Sequence, residues 1–508
     1  MTYPFAFLDQ IWLTLLVLVP IVLVARLVVV GSRYSPILIV VVFGLGLGAL
    51  MVASGAGTPG LADHDLLGML GRATIIALAA AFFTGGQQLR RLFGQVEAPG
   101  TAPAAAQVTA DATEVIPGTD RSQLFAILRA FFVLMGVEAA VRALMGTGGE
   151  KAAVLPLIAY LGLILAAITL DAGTRVADKR RFLGRGVLEL AVLIAVLLAA
   201  ALLARELRAL AAFPPIFFAM LIAVGLGWVW HDWQHGPALR ALLFGGIPVV
   251  LAANFLIGGS LLLQALALEG MAPILVYGFF GQMLWMFGGI SALMLFGRTA
   301  AVRNLAPGMA GALSHAGLTG ACTAGDMGEI AQRRAPILIA VPFLGHVVLF
   351  TILAFSLEAG RMLLWPVALA GLAGVVISGF AFRDLRRSAG DDRREVRGLM
   401  LFAFGWQLVA LFGGLMLLSG LPLDHAAMAS SAALSHFGLF AALQGGLFGP
   451  EAASLIAVVF AMPFLVHPFV FVMFGRGMER GGEMPRAPAY VLAAIGAAGV
   501  AAGLLGLG

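Results

Sequence analysis

The sequence has little charge and almost no cysteine. Only 11% of its 508 residues are charged, against about 25% in ordinary soluble domains. Hydrophobic residues make up 61% of the chain, and the mean hydropathy is +1.01. This balance excludes a water-soluble globule. The single cysteine, Cys322, excludes both a disulfide framework and a cysteine-based metal site.

The positive charge is too dispersed to bind nucleic acid. The formal net charge of +5 comes from basic residues spread over short loops beside apolar runs, which is typical of topology signals. We therefore expect membrane lipids, and no nucleic acid, as partners. The chain also has no Gly-x-x-x-x-Gly-Lys-Ser/Thr pattern, so ATP drive would need a separate subunit.

Apolar runs of membrane-spanning length recur along the whole chain. They predict an all-α polytopic membrane protein with about fourteen transmembrane helices. The first run has no basic region before it and no small-residue cleavage site, so it is expected to be retained rather than removed as a signal peptide. The expected spans are residues 8–30, 36–54, 67–86, 123–145, 153–171, 186–204, 213–230, 242–268, 271–297, 335–357, 362–382, 398–420, 452–474 and 487–507.

Two further stretches, residues 306–331 and 427–448, are rich in alanine, glycine and serine. If both enter the membrane and return on the same side, the basic loops all lie on one side, including the densest at residues 383–397. Basic loops mark the cytoplasm, so we expect two re-entrant or broken segments and extracytoplasmic termini in a multi-pass inner-membrane protein. Such segments usually line a cavity.

The second half contains an internal repeat. Residues 312–346 align without gaps on residues 433–467, and 15 of the 35 positions are identical. Upstream, Phe287-Gly288-Gly289 matches Phe412-Gly413-Gly414 at nearly the same offset. Each unit then holds three full crossings, and an odd number inverts the second unit relative to the first, as in many secondary transporters.

The repeat divides the chain into predicted regions. A segment rich in alanine, proline, threonine and glycine lacks hydrophobic periodicity and is expected to be a flexible cytoplasmic linker. The predicted regions are N-terminal transmembrane helices at 1–92, the linker at 93–122, central transmembrane helices at 123–268, a repeat unit with a re-entrant segment at 271–384, and a second, inverted unit at 392–508.

Several motifs resemble the sodium/glutamate symporter family. The stretch at residues 314–323, followed by Val-Pro-Phe-Leu-Gly at residues 341–345, is similar to a conserved part of that family's second half. The matching positions there are His315, Gly317, Thr323, Pro342 and Gly345; in the first half they are Phe82, Phe83, Thr84, Gly173 and Thr174. The resemblance implies a sodium-coupled, elevator-like carrier in which two hairpins meet at the membrane midplane, and a homodimer.

Three acidic residues are candidate cation ligands. Asp326 and Glu329 lie in a glycine-rich stretch whose backbone can unwind and offer carbonyl groups to a cation, and an ionisable group in the membrane is a functional hypothesis by default. Salt bridges to nearby arginines at the cytoplasmic mouth are the structural alternative. Asp171 with the Thr174 hydroxyl suits a hard cation, although Asp171 also fits as a helix-end charge facing Arg175.

The hydroxyl groups of Ser314, Thr319 and Thr323 are candidate donors to an anionic solute, helped by the positive ends of broken helices. They also fit as small residues that pack helices in lipid. The predicted substrate-binding set is Ser314, His315, Gly317, Thr319, Thr323, Gly173 and Thr174.

These features predict a secondary active transporter, not an enzyme. Its coupling ion is expected to be sodium, with a proton as the alternative, and its substrate a small carboxylate or amino acid. A cation/proton antiporter that uses Asp326 and Asp171 stays open as a second interpretation. A membrane haem or metal redox protein is the distant third, because the repeat duplicates histidines that could act as ligands: His315, His346, His436 and His467.

Overall fold

The protein is described by a computed structural model. The described residues are 36–53, 64–94, 120–145, 162, 179–207, 215–246, 271–296, 328–388, 392–434 and 485–506, with scattered positions between 249 and 259 and between 459 and 473. All regular structure among them is helical, as expected for an all-α protein. The predicted linker at 93–122 lies mostly outside these residues. So do the predicted spans at 8–30, 153–171, 242–268 and 452–474 and the predicted re-entrant stretches at 306–331 and 427–448.

Twelve α-helices are described in this part of the chain. They are α1 (Pro36–Ala53), α2 (His64–Gly94), α3 (Asp120–Leu144), α4 (Lys179–Glu206), α5 (Pro215–Val229), α6 (Pro237–Ala241), α7 (Met271–Phe296), α8 (Gly328–Glu358), α9 (Leu364–Arg386), α10 (Asp392–Leu417), α11 (Leu423–Leu434) and α12 (Arg486–Leu505). A π-helical turn, Leu242–Gly246, continues α6 directly.

Six segments of the described helices are long and apolar enough to cross a membrane. They are Leu183–Glu206, Met271–Phe296, Ala340–Glu358, Leu364–Arg386, Arg393–Leu417 and Arg486–Leu505. Helices also cover the predicted spans at 36–54, 67–86, 123–145 and 213–230. The most exposed of the six are α9 and α12, where large apolar side chains such as Trp365 and Val491 point outward as they would toward lipid.

A short turn joins α8 to α9. Gly360 has a φ of +63° and donates its N–H to the carbonyl oxygen of Leu357 at 3.1 Å, while Arg361 donates to that of Ser356 at 3.0 Å. This pair of bonds forms a Schellman motif, which needs a left-handed residue that glycine adopts without strain. The Ser356 hydroxyl accepts a further bond from the Leu363 N–H at 3.1 Å. The end of α8 and the start of α9 therefore lie together.

Glycines bring α9 and α10 into backbone contact. A Cβ atom added to Gly374 would lie 2.6 Å from the carbonyl oxygen of Gly405, and one added to Gly405 would lie 2.7 Å from the Ser378 hydroxyl. Near the loop that joins the two helices, Arg397 Nε donates to the Asp384 carboxylate at 2.8 Å. The two helices form an antiparallel hairpin packed through small residues, which is common between membrane helices.

Helix α12 packs on α7 in the same manner. A Cβ atom added to Gly496 would overlap the backbone of Leu284, and one added to Gly499 would overlap the ring of Phe280. The paired residue numbers run in opposite directions, so these two helices are also antiparallel.

The two helix pairs use corresponding positions in sequence. Helices α7 and α10 have 26 residues each, and their first residues are 121 positions apart. The first residues of α9 and α12 are 122 positions apart. The buried residues Val367, Gly374 and Ser378 of α9 recur at that second spacing in α12 as Ala489, Gly496 and Val500.

The contacts of the two helix pairs agree with the Phe-Gly-Gly alignment. A Cβ atom added to Gly374 would overlap the Val409 nitrogen, and one added to Gly496 would overlap the Leu284 nitrogen. Leu284 and Val409 are 125 positions apart, the offset that matches Phe287-Gly288-Gly289 with Phe412-Gly413-Gly414. The first residues of α7 and α10 differ by 121 instead, so α10 begins about one turn earlier relative to that alignment.

The basic ends of two first-half helices, α2 and α4, lie beside the end of α5 and the loop that follows it. Near the end of α2, the Arg90 guanidinium lies 5.4 Å from the ring centroid of Trp228, at the end of α5. Near the start of α4, Arg185 Nη1 donates to the side-chain oxygen of Gln234 at 2.9 Å. The end of α2 and the start of α4 therefore share one end of this helix group, as the positive-inside interpretation requires. Which side of the membrane they face stays a prediction.

Candidate functional site

The predicted site falls almost entirely outside the described residues. Of the candidate ligands, only Glu329 is described, as the second residue of α8, and only its backbone is placed. The others, which lie outside, are Asp171, Gly173, Thr174, Ser314, His315, Gly317, Thr319, Thr323 and Asp326. Helix α8 nevertheless continues directly from this predicted site, so its buried polar residues bear on the function.

His346 is the buried polar residue at the middle of α8. Its side chain is 1% exposed, and it lies against Gln407 of α10, which is fully buried. The amide nitrogen of Gln407 lies 3.4 Å from Nδ1 and 3.5 Å from Nε2 of the imidazole. The Phe350 ring, one turn further along α8, covers another side at 6.2 Å between centroids. Two polar side chains thus meet inside a segment apolar enough to span a membrane.

A second polar group links α7 to α10. The Trp285 indole N–H donates to the Tyr277 hydroxyl at 3.0 Å, and the Trp406 indole N–H donates to the carbonyl oxygen of Trp285 at 2.9 Å. The two indole rings are 6.4 Å apart and steeply inclined to each other. Because buried polar groups are costly unless hydrogen-bonded, this chain of contacts fixes where the two helices cross.

The Tyr277 hydroxyl also reaches α11. A Cβ atom added to Gly414 would lie 2.5 Å from that hydroxyl and 3.0 Å from the Ser430 hydroxyl, so both groups crowd the same glycine. Ser430 donates to the carbonyl oxygen of Leu411 at 2.9 Å. Helices α7, α10 and α11 thus share a polar contact region.

Glu189 anchors a different junction, between α4 and α6. Its carboxylate accepts hydrogen bonds from the Trp233 indole N–H at 3.1 Å, from the backbone N–H groups of Ala238 and Leu239 at 3.1 Å each, and from that of Gly236. These backbone groups belong to the start of α6, where N–H groups lack intrahelical partners. A buried side chain of α4 thus caps a neighbouring helix.

Gln87 of α2 binds the loop between α5 and α6, which is the loop that also contacts Glu189. Its amide nitrogen donates to the carbonyl oxygens of Trp230 at 3.0 Å and Trp233 at 2.9 Å. Its amide oxygen, which can only accept, lies 2.8 Å from His235 Nε2. His235 Nε2 therefore carries a proton and donates to Gln87, and the Thr84 hydroxyl lies 3.4 Å from the same nitrogen.

Three tryptophans lie around the end of α5 at Val229: Trp228, Trp230 and Trp233. The polar atoms of Trp230 and Trp233 bind Gln87 and Glu189. In the sequence, Gly236-Pro237 is typical of a helix start. The free N–H groups of such a start are suitable donors to a buried carboxylate.

Among the described residues, no group of three or more histidine, cysteine, aspartate or glutamate side chains could hold a metal ion. Of the four repeated histidines in the redox interpretation, the structure describes two, His346 and His467, and each is 1% exposed. His315 and His436 lie outside the described residues. No protein-family model, no curated protein and no solved structure matches this chain.

Proposed function

We propose that this chain is a secondary active transporter that moves a small anionic solute by alternating access, driven by a cation gradient. The proposal places it in the inner membrane as a multi-pass protein with extracytoplasmic termini, as the loop charges predict. The coupling cation is sodium or a proton. The observation that carries the proposal is that the helices of the second half pack in two similar pairs, α9 with α10 and α12 with α7.

The packing supports two inverted units. Helix α9 of the first unit packs on α10 of the second, and α12 of the second packs on α7 of the first. A two-fold axis that relates two structurally equivalent units would produce this pattern. A Cβ atom added to Gly374 would overlap the Val409 nitrogen, and one added to Gly496 would overlap the Leu284 nitrogen. Leu284 precedes Val409 by 125 positions, the offset between the two Phe-Gly-Gly motifs.

The direction of the helices supports inversion rather than simple duplication. Helices α7 and α9 end side by side, since Arg386 Nε donates to the carbonyl oxygen of Phe296 at 2.8 Å. Helix α10 begins at that same end, after the loop that follows α9. The equivalent helices α7 and α10 therefore run antiparallel and cross at Trp285 and Trp406. Two-fold axes that invert repeats in this way are typical of carriers with a substrate site at the membrane midplane.

The buried polar residues beside this crossing support a hydrophilic path in the membrane. His346, Gln407, Ser430 and Tyr277 all lie in the second half, at most 3% exposed. Polar groups within membrane helices commonly mark substrate or ion pathways. Helix α8, which carries His346, begins directly beside the predicted cation ligands Asp326 and Glu329.

Uptake into proteoliposomes tests this function. The purified protein should accumulate labelled L-glutamate or succinate when an inward sodium or proton gradient is imposed, and accumulation should collapse when the gradient is dissipated. Liposomes that carry a variant with Gly374→Val, which disrupts the packing of α9 on α10, provide a folding-defective control. No gradient-dependent uptake of either solute would contradict the proposed transport of small carboxylates.

A further inference from the structure

We propose that the neighbouring ends of α2, α4 and α5 form a binding site for an anionic membrane phospholipid. This site goes beyond the proposed transport and does not depend on it. Three features of the described residues carry the inference. Arginines lie at one end of this helix group, tryptophans lie beside them, and exposed apolar side chains follow further along the same helices.

Helix α5 packs against both α2 and α4, so the ends of three helices meet at its last turn. From α2, the Arg90 guanidinium lies 5.4 Å from the centroid of the Trp228 ring. From α4, Arg185 Nη1 donates to the side-chain oxygen of Gln234 at 2.9 Å, in the loop that follows α5. Arginines of α2 and α4 therefore lie on both sides of the tryptophan-bearing end of α5.

The start of α4 adds further positive charge. Residues 175–185 contain one acidic residue, Asp178, and a set of basic ones: Arg175, Lys179, Arg180, Arg181 and Arg185. Nearby, the Glu189 carboxylate is buried and caps the start of α6, and Asp232 pairs with His231 at 3.2 Å. This end of the helix group therefore carries an excess of positive charge, which attracts anionic headgroups.

An exposed apolar face of α4 begins next to these arginines. Arg181, Gly184 and Leu188 are three and four positions apart, so they share one face of the helix, and all three are exposed. A Cβ atom added to Gly184 meets nothing within 4 Å, which leaves this face open. The segment Leu183–Glu206 is long and apolar enough to cross a membrane. An acyl chain that lies along Leu188 therefore has its phosphate at the level of the arginines.

Helix α5 presents a second face of this kind. Leu221, Gly225 and Trp228 are four and three positions apart, and all three are exposed. Beyond them, Trp230 is 41% exposed. Exposed tryptophans at the end of a membrane helix are typical of the headgroup level of a bilayer. The contact of Arg90 with Trp228 therefore places the guanidinium where lipid phosphates lie.

The surface matches both parts of an anionic phospholipid. Guanidinium groups bind phosphate oxygens through paired N–H bonds, and the apolar faces of α4 and α5 need hydrocarbon to cover them. A soluble phosphate satisfies only the arginines. A zwitterionic lipid carries a second, positive group that the arginines repel. The structure therefore favours a lipid such as phosphatidylglycerol, whose headgroup is negative and whose acyl chains extend along the helices.

Native mass spectrometry of the full-length protein in detergent measures this binding directly. Phosphatidylglycerol and phosphatidylcholine with identical acyl chains are titrated separately, and glycerol 3-phosphate serves as the soluble phosphate. One arginine near an anionic headgroup changes the affinity about fivefold. With two arginines on the phosphate, the wild-type protein should bind phosphatidylglycerol about 25-fold more tightly than phosphatidylcholine. Glycerol 3-phosphate should not bind at the same concentrations.

Charge-neutral variants test the arginines. Arg90→Gln and Arg180→Gln should each weaken binding of phosphatidylglycerol about fivefold, and the double variant about 25-fold, whereas binding of phosphatidylcholine should not change. Arg205→Gln is the matched control, because Arg205 is exposed at the opposite end of α4, where it pairs with Glu206. This control should keep the affinity of the wild-type protein for phosphatidylglycerol.

Brominated lipids test the location without changing an arginine. The protein is reconstituted in mixtures of phosphatidylglycerol and phosphatidylcholine in which only one of the two lipids carries brominated acyl chains. The fluorescence of Trp228 is isolated as the difference between the wild-type protein and Trp228→Phe. It should be quenched more strongly when phosphatidylglycerol carries the bromine. Trp365, which is exposed at the start of α9, is isolated in the same way with Trp365→Phe and should show no such preference.

Several outcomes would overturn the lipid site. They are equal affinity for the two lipids, a preference for phosphatidylglycerol that Arg90→Gln and Arg180→Gln leave unchanged, and an equal loss of that preference in Arg205→Gln. Gel filtration and thermal unfolding identify any variant that fails to fold. The quenching experiment then decides, because equal quenching of Trp228 by the two brominated lipids, or the same preference at Trp365, would contradict the site.

Discussion

The indole N–H of Trp406 donates a 2.9 Å hydrogen bond to the carbonyl oxygen of Trp285, a residue 121 positions earlier. The Trp285 indole in turn donates to the Tyr277 hydroxyl at 3.0 Å. The first of these two bonds holds α7 and α10 together where the antiparallel helices cross.

Inversion predicts the accessibility of three engineered cysteines. In a Cys322→Ser background, Ala272→Cys, Arg387→Cys and Gly420→Cys each introduce a thiol at a position that is exposed in the structure. A membrane-impermeant maleimide should label Ala272→Cys and Gly420→Cys on intact spheroplasts, and Arg387→Cys only after lysis, because α7 begins at the end where α10 finishes. Labelling of Ala272→Cys together with Arg387→Cys would contradict the inverted arrangement.

The contact of α9 with α10 should tolerate no side chain at Gly374. Gly374→Val should destabilise the protein by about 2 kcal/mol or more through overpacking, because the new atoms would meet the Gly405 carbonyl group and Leu408. Gly379→Val on the same helix is the matched control, since a Cβ atom there meets nothing within 4 Å. Thermal unfolding in detergent measures both variants. Equal effects would show that the close contact does not limit stability.

The hydrogen bonds of Glu189 predict a stability effect distant from the proposed transport path. Glu189→Gln replaces an acceptor oxygen with an amide nitrogen that faces N–H donors, so we expect a loss of about 3 kcal/mol. Glu206→Gln is the control on the same helix, because Glu206 is exposed and pairs with an exposed Arg205. A melting temperature that is unchanged in Glu189→Gln would contradict the capping role assigned to this carboxylate.

Apolar periodicity and length were enough to predict many of the helices. The expected spans at 271–297 and 36–54 end within about one residue of the helices Met271–Phe296 and Pro36–Ala53, because an apolar run of this length has few other folded states in lipid. The expected span at 362–382 ends four residues before α9 does, at Arg386. Charged residues end an apolar run without ending the helix.

Contacts between distant side chains were not predictable in the same way. Trp233 and Glu189 are 44 positions apart, and nothing in either local sequence specifies the other. The same applies to Gln407 and His346, which come together only because α10 packs on α8. The candidate ligands from Asp171 to Asp326 stay predictions, since their geometry lies outside the described residues.

Solute counterflow tests the central claim most directly, because it requires a carrier that exposes one site alternately to each side of the membrane. Proteoliposomes preloaded with unlabelled L-glutamate or succinate are diluted into a trace of the same labelled solute, without an ion gradient. The proposed transporter predicts transient accumulation of label above its equilibrium level, through exchange with the internal solute. Label that only equilibrates, at the same rate with or without preloading, would contradict it.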